Sequence, residues 1–298
     1  MNWTVWILAS AVFLSLYDLA KKASVSGNAV LPVLCCSTIC GSAAFTFSLW
    51  LRGGGSFGAP LFAQALCPGG EVLLLAAVKS VIVAASWVLT FNALRTLPVT
   101  IATPIRASAP AIVFLVAFFL YGEVPSGLQA LGMLCVFGGY FAFSWAGRHE
   151  GIDFFRNRAV WCAFGGMMLS ACSALFDKFV FGVRAAPVEA VQFWFQFDLI
   201  VVYIALLCGS RLLRLPSRRF EFRWTIPLVG ILLAAADWLY FTGLSDAAAP
   251  ISVASLLRRF SVVITFVLGA KFFKETNLGR KALALAAIVV GILLISHP

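Results

Sequence analysis

Nine ionisable side chains sit inside runs that are otherwise apolar: Asp18, Lys79, Arg106, Asp177, Lys178, Asp198, Asp237, Arg258 and Arg259. An ionised group in a membrane-spanning helix costs at least about 2.5–3.5 kcal/mol on insertion scales, so each needs a partner or a wet cavity. Carboxylates and cations at matched depth can tie helices together, hold a charged solute, or carry a coupling ion. Bond-making chemistry is not provided for. His149 and His297 fall in a linker and at the C-terminus, too far apart in kind of position to build a metal cluster. The eight cysteines show no C-x-x-C pair and read as small packing residues. There is no phosphate loop, dinucleotide fingerprint or nucleophile elbow. The expectation is a protein that is not an enzyme and has neither metal nor cofactor.

Polar uncharged residues add to the set. Glu189, Gln192 and Gln196 are spaced by three and four and so share one helical face. Amides facing lipid would be unsatisfied, which points Gln192 and Gln196 into a cavity. Trp87 and Trp238 follow Ser86 and Asp237 in related runs, serving either packing or solute contact.

The elements that must position these groups are helices in a membrane. Of 298 residues, 62% are hydrophobic and 11% charged, far from soluble composition. Ten apolar stretches are each long enough to cross about 30 Å of hydrocarbon as helix. They run at 2–20, 29–51, 71–94, 99–121, 126–146, 158–181, 188–209, 224–245, 249–273 and 278–296. They lack the alternation of a barrel strand, so the fold class is an all-α integral membrane protein. The first stretch has no basic n-region and reads as a retained helix.

The net charge of +10 does not indicate nucleic acid, because most of the 22 Lys and Arg lie in alternate connections between stretches, while the opposite set holds only Arg52 and Arg184. That bias puts the connections after stretches 1, 3, 5, 7 and 9 in the cytoplasm and both termini outside.

The chain repeats itself. Pro98-Val-Thr-Ile-Ala-Thr-Pro-Ile-Arg106 corresponds to Pro250-Ile-Ser-Val-Ala-Ser-Leu-Leu-Arg258, and the register continues through Glu123 with Glu275 and Gly139 with Gly291. Leu16-Tyr-Asp18 resembles Leu175-Phe-Asp177, and Ala84-Ala-Ser-Trp87 resembles Ala235-Ala-Asp-Trp238. Five helices is an odd number, so the second repeat enters from the opposite side. The expected organisation is two inverted five-helix repeats, 1–147 and 158–298, joined by a basic linker at 148–157. Inverted repeats suit alternating access around a central cavity.

Ten helices, a repeat of five, the Gly122-Glu123 and Lys274-Glu275 pairs and the Leu-Arg-Arg-x-Ser run at 257–261 resemble the EamA-type members of the drug/metabolite transporter superfamily. The resemblance implies an efflux or exchange carrier for small organic solutes such as amino acids or drug-like molecules, in the cell inner (plasma) membrane, as monomer or homodimer. It also implies cytoplasmic termini, opposite to the charge bias.

Depth assigns the charges two roles. At ~1.5 Å per residue, Arg106 lies roughly 10 Å in from the basic face and Arg258 roughly 12 Å in from the other. Asp18 approaches the level of Arg106, and Asp177 that of Arg258, so Asp18–Arg106 and Asp177–Arg258 are the expected structural ion pairs. Asp237, where the first half has Ser86, and Arg259, where it has Ala107, break the symmetry. The expected substrate or coupling-ion contacts are therefore Asp237, Arg258, Gln196, Gln192, Lys79, Trp238, Arg106 and Arg259. Asp237 is the expected protonatable group, unless a firm partnership with Arg258 holds it ionised. Two alternatives stand beside this: an exchanger of phosphorylated or nucleotide-linked anions bound by Lys79, Arg258 and Arg259, and a non-transporting scaffold with a dry, fully paired core.

Overall fold

A computed structural model of the chain describes residues 2–25, 27–56, 60–96, 109–122, 124, 126–145, 158–213, 219–261, 264, 286, 287, 289–291, 293 and 294. Arg106, Glu123, Glu275 and the linker 148–157 lie outside the described residues. Among those described, the regular structure is entirely helical. The helices are α1 (Trp3–Val25), α2 (Val30–Arg52), α3 (Pro60–Leu66), α4 (Gly70–Thr96), α5 (Ala109–Tyr121), α6 (Gly127–Trp145), α7 (Arg158–Lys178), α8 (Val188–Leu212), α9 (Thr225–Leu244) and α10 (Ile251–Arg258). A π turn, Phe179–Val183, continues α7.

Among the described residues, six helices are long and apolar enough to cross a membrane, and Ile112–Tyr121 and Gly127–Gly139 form shorter apolar helices. The expected stretches 99–121, 249–273 and 278–296 are described only in part. One element was not expected: α3, inside the Gly- and Pro-rich connection after α2. It forms because Phe62 and Ala65 bury against the bundle, while the Ala65 carbonyl accepts the indole N–H of Trp194 at 3.1 Å. Proline sets two boundaries. Pro187 and Pro250 are extended at the N-caps of α8 and α10, and each disfavours helical geometry in the residue before it, so the helix starts after the proline.

The packing is built on small residues. Gly41 on α2 and Gly230 on α9 meet so closely that a Cβ on Gly230 would lie 1.7 Å from the Ser37 carbonyl oxygen. Gly166 on α7 lies against Ser86 and Thr90 of α4. Buried hydroxyls knit the same seams: Ser86 donates to the Gly166 carbonyl at 2.8 Å, and Ser10 on α1 donates to the Ala236 carbonyl on α9 at 2.7 Å. Without a hydrophobic drive between helices in lipid, such close approach and hydrogen bonding supply the cohesion.

The contacts follow a pattern. α1 packs along α9 and α4 along α7; α2 also meets α9 as α4 meets α8; α1 touches α10 as α5 touches α7; and α2 meets α8. At one end, Asn28 exchanges two hydrogen bonds with the backbone of Glu221, at 2.6 and 2.9 Å, and Arg223 donates to the Ala23 carbonyl at 2.8 Å. At the other, Arg52 pairs with Glu189 at 3.1 Å and Arg184 with Glu71 at 3.4 Å. Large apolar side chains such as Leu74, Val81, Phe119, Leu134 and Phe141 are exposed on the outside, where lipid would take the place of water.

Candidate functional site

A cavity of about 310 Å³ lies among α1, α4, α5, α7, α8, α9 and α10. Among the described residues its wall carries three acids, Asp18, Asp177 and Asp237, and four bases, Lys21, Lys79, Arg258 and Arg259. Lys79, Asp177, Asp237 and Arg258 lie together in this wall.

They form two ion pairs. Lys79 on α4 pairs with Asp177 on α7, with both side chains almost wholly buried. Arg258 on α10 pairs with Asp237 on α9 and is partly accessible from the cavity. The expected Asp177–Arg258 pair is thus replaced: Asp177 takes Lys79, because the close α4–α7 seam at Gly166 brings those helices together along their length, and Arg258 takes Asp237. Asp18 lines the cavity half-buried, and its expected partner Arg106 lies outside the described residues.

Aromatic rings surround the cations. The Lys79 ammonium lies 4.8 Å from the Phe195 ring centre and 4.4 Å from that of Phe241, which stacks on Phe181 at 4.6 Å. The Arg258 guanidinium lies 4.1 Å from the Tyr240 ring centre. Lys21 lies 5.0 Å from the Trp87 ring centre and 5.3 Å from that of Tyr17. A cation over an aromatic face gains about 0.5–2 kcal/mol, more when desolvated, so these rings hold charge in place where water is scarce.

Gln196 lines a smaller neighbouring pocket of about 40 Å³ that shares Asp237, Trp87 and Phe195 with the cavity. Its side-chain oxygen is buried without a hydrogen-bond partner among the described residues. Gln192 is fully buried beside α9, its amide nitrogen 3.4 Å from the Ala234 carbonyl, and borders neither space. Trp238 also faces elsewhere, edge-on to Trp6 at 5.9 Å and beneath the Arg52 guanidinium at 5.1 Å. It is Trp87, its counterpart in the first half, that borders the cavity. Asp198 is half-buried on α8 outside both spaces, and Lys178 turns to the carbonyls of Ala247 and Ala249 ahead of α10.

Three features were not singled out in the sequence. Lys21 follows Asp18 by three and Tyr240 follows Asp237 by three, so helical spacing already puts each on its neighbour's face. The π turn after Asp177 and Lys178 has no comparable sequence signal, although such turns are frequent at functional sites.

Residues 1–145 match the EamA-like transporter family. A solved structure titled only "Crystal structure of protein" shares 17% identity, covers 99% of this chain and 96% of its own, and superposes with a TM-score of 0.74. That likeness speaks to the fold. The comparison with curated proteins gives no match.

Proposed function

Because the chain belongs, through residues 1–145, to the EamA-like transporter family of the drug/metabolite transporter superfamily, we propose that this multi-pass membrane protein is a secondary active carrier. It exports or exchanges small organic metabolites, such as amino acids or drug-like solutes, by alternating access. The observation that carries this reading is the cavity: acids and bases from both halves of the chain converge on one space large enough for a small solute. Ligand sites are commonly concave with a few convergent polar groups.

The reading includes the architecture. The halves 1–147 and 158–298 act as inverted five-helix repeats joined by 148–157. The contact pattern supports this, since α1 on α9 and α4 on α7 are the same pairing with the halves exchanged, as are α2 on α9 and α4 on α8. Arg258, Asp237, Arg259 and Lys79 contact the solute or a coupling ion in the cavity, with Gln196 behind Asp237. Asp237 serves as the standing counter-charge of Arg258, because a guanidinium keeps its proton throughout the physiological range. The scaffold alternative called for a dry, fully paired core, and the Gln196 oxygen, without a partner among the described residues and beside a cavity, speaks against it.

A second reading is favoured by one observation, the excess of bases over acids in the wall: exchange of phosphorylated or nucleotide-linked anions. A thermal-shift screen of purified protein against a metabolite panel separates the two. Stabilisation by neutral or zwitterionic solutes supports the first reading, stabilisation confined to phosphate esters supports the second, and no stabilisation by any solute removes both.

A further inference from the structure

We infer that the small pocket beside Asp237 is an ammonium subsite, which holds the primary ammonium head of the solute. The inference rests on the carrier reading and adds to it the chemical class of the solute.

Charge is sorted between the two adjoining spaces. Among the described residues, Lys21, Lys79, Arg258 and Arg259 all line the large cavity, and none of them lines the small pocket. Asp237 lines both, and among the described residues it is the one charged group in the wall of the small pocket. Its bond to Arg258 engages one carboxylate oxygen, and a carboxylate accepts at about four sites, so acceptor capacity remains for a second donor.

The neutral polar lining also offers acceptors. Ser37 and Thr38 on α2 both donate to the Leu34 carbonyl, at 3.0 and 2.8 Å, so their hydroxyl oxygens have only lone pairs left to present. Gln196 on α8 brings a buried side-chain oxygen with no partner among the described residues. A cation carrying several N–H groups satisfies such a wall, whereas an anion meets lone pairs. Trp87 and Phe195, shared by both spaces, add rings of the kind that attract cations. Each already lies beside one, Trp87 at 5.0 Å from Lys21 and Phe195 at 4.8 Å from Lys79.

Size narrows the class. The pocket measures about 40 Å³, and a water takes about 10–15 Å³ of such space, so roughly three water-sized groups fill it. A primary ammonium and its first carbon fit. A quaternary ammonium is too large and has no N–H to give.

Thermal melts of the purified full chain in lipid test the subsite with methylammonium as probe, tetramethylammonium keeping the ionic strength constant. Methylammonium is expected to raise the wild-type midpoint saturably. Its half-saturating concentration should rise at least about tenfold in Gln196→Leu, which removes an acceptor to a charged donor. It should rise less, but measurably, in Thr38→Val, a nearly isosteric change that keeps the α2 packing. No shift with methylammonium, an equal shift with sodium, or the same concentration dependence in wild type and Gln196→Leu overturns the inference. Stabilisation by panel solutes that lack an amine, with none by methylammonium, overturns the subsite while the carrier reading stands. Saturable methylammonium binding lost in Gln196→Leu, without solute exchange in proteoliposomes, supports the subsite and removes the carrier reading.

Discussion

Lys79 and Asp177, 98 positions apart in the chain, form an ion pair in the wall of the cavity, with both side chains all but excluded from solvent. Breaking such a pair by removing one partner typically costs about 3–5 kcal/mol, whereas replacing both with apolar groups is often neutral. Lys79→Met alone is therefore expected to lower the thermal unfolding midpoint sharply. Lys79→Met combined with Asp177→Leu should recover most of the loss. A thermal melt in detergent or lipid gives the comparison, and additive losses in the double variant would contradict the pairing.

Gly230 cannot accept a side chain. A Cβ there would fall 1.7 Å from the Ser37 carbonyl oxygen, so Gly230→Ala must push α2 from α9, at a cost of about 1–3 kcal/mol or more. Gly209, near the end of α8, has nothing within 4 Å of an added Cβ, and Gly209→Ala should leave the melt nearly unchanged.

Gln196 separates packing from function. Its buried side-chain oxygen has no partner among the described residues, and an orphaned acceptor costs about 1–3 kcal/mol. Gln196→Leu is expected to raise the melting temperature while reducing solute exchange in proteoliposomes. A variant that is both more stable and fully active would remove Gln196 from the site.

Arg258 combines an ion pair with Asp237 and a ring contact with Tyr240, and lysine reproduces neither the planar fork nor the stacking. Arg258→Lys should fold, yet lower exchange at least about tenfold, equivalent to roughly 1.4 kcal/mol. Wild-type exchange by this variant would mean that charge alone is needed there.

How much of this was legible beforehand depended on range. Apolar length is a local property, so the six long helices coincide with expected stretches to within a few residues. Rise per residue is fixed, so the expected depths put Asp177 and Arg258 at one level, and the structure groups both with Lys79 and Asp237. Partnership was not legible, since four charges grouped this way allow two pairings. The choice between them is made by the α4–α7 seam at Gly166, a contact 80 residues long in sequence. Trp238 and Gln192 missed the cavity for a related reason: the face a helix turns inward is set by its neighbours. The α3 helix was hidden by its Gly- and Pro-rich flanks, and it is stabilised by tertiary contacts, the burial of Phe62 and Ala65 and the Trp194 hydrogen bond to the Ala65 carbonyl.

Trans-stimulated uptake in proteoliposomes tests most directly whether the cavity is a transport site. With the full chain reconstituted, an unlabelled solute that stabilises the protein, loaded inside the vesicles, should accelerate saturable entry of the same labelled solute, and Arg258→Lys should suppress that acceleration. Entry that does not saturate, or that proceeds at the same rate from empty and loaded vesicles and in the variant, would contradict a carrier built around this cavity.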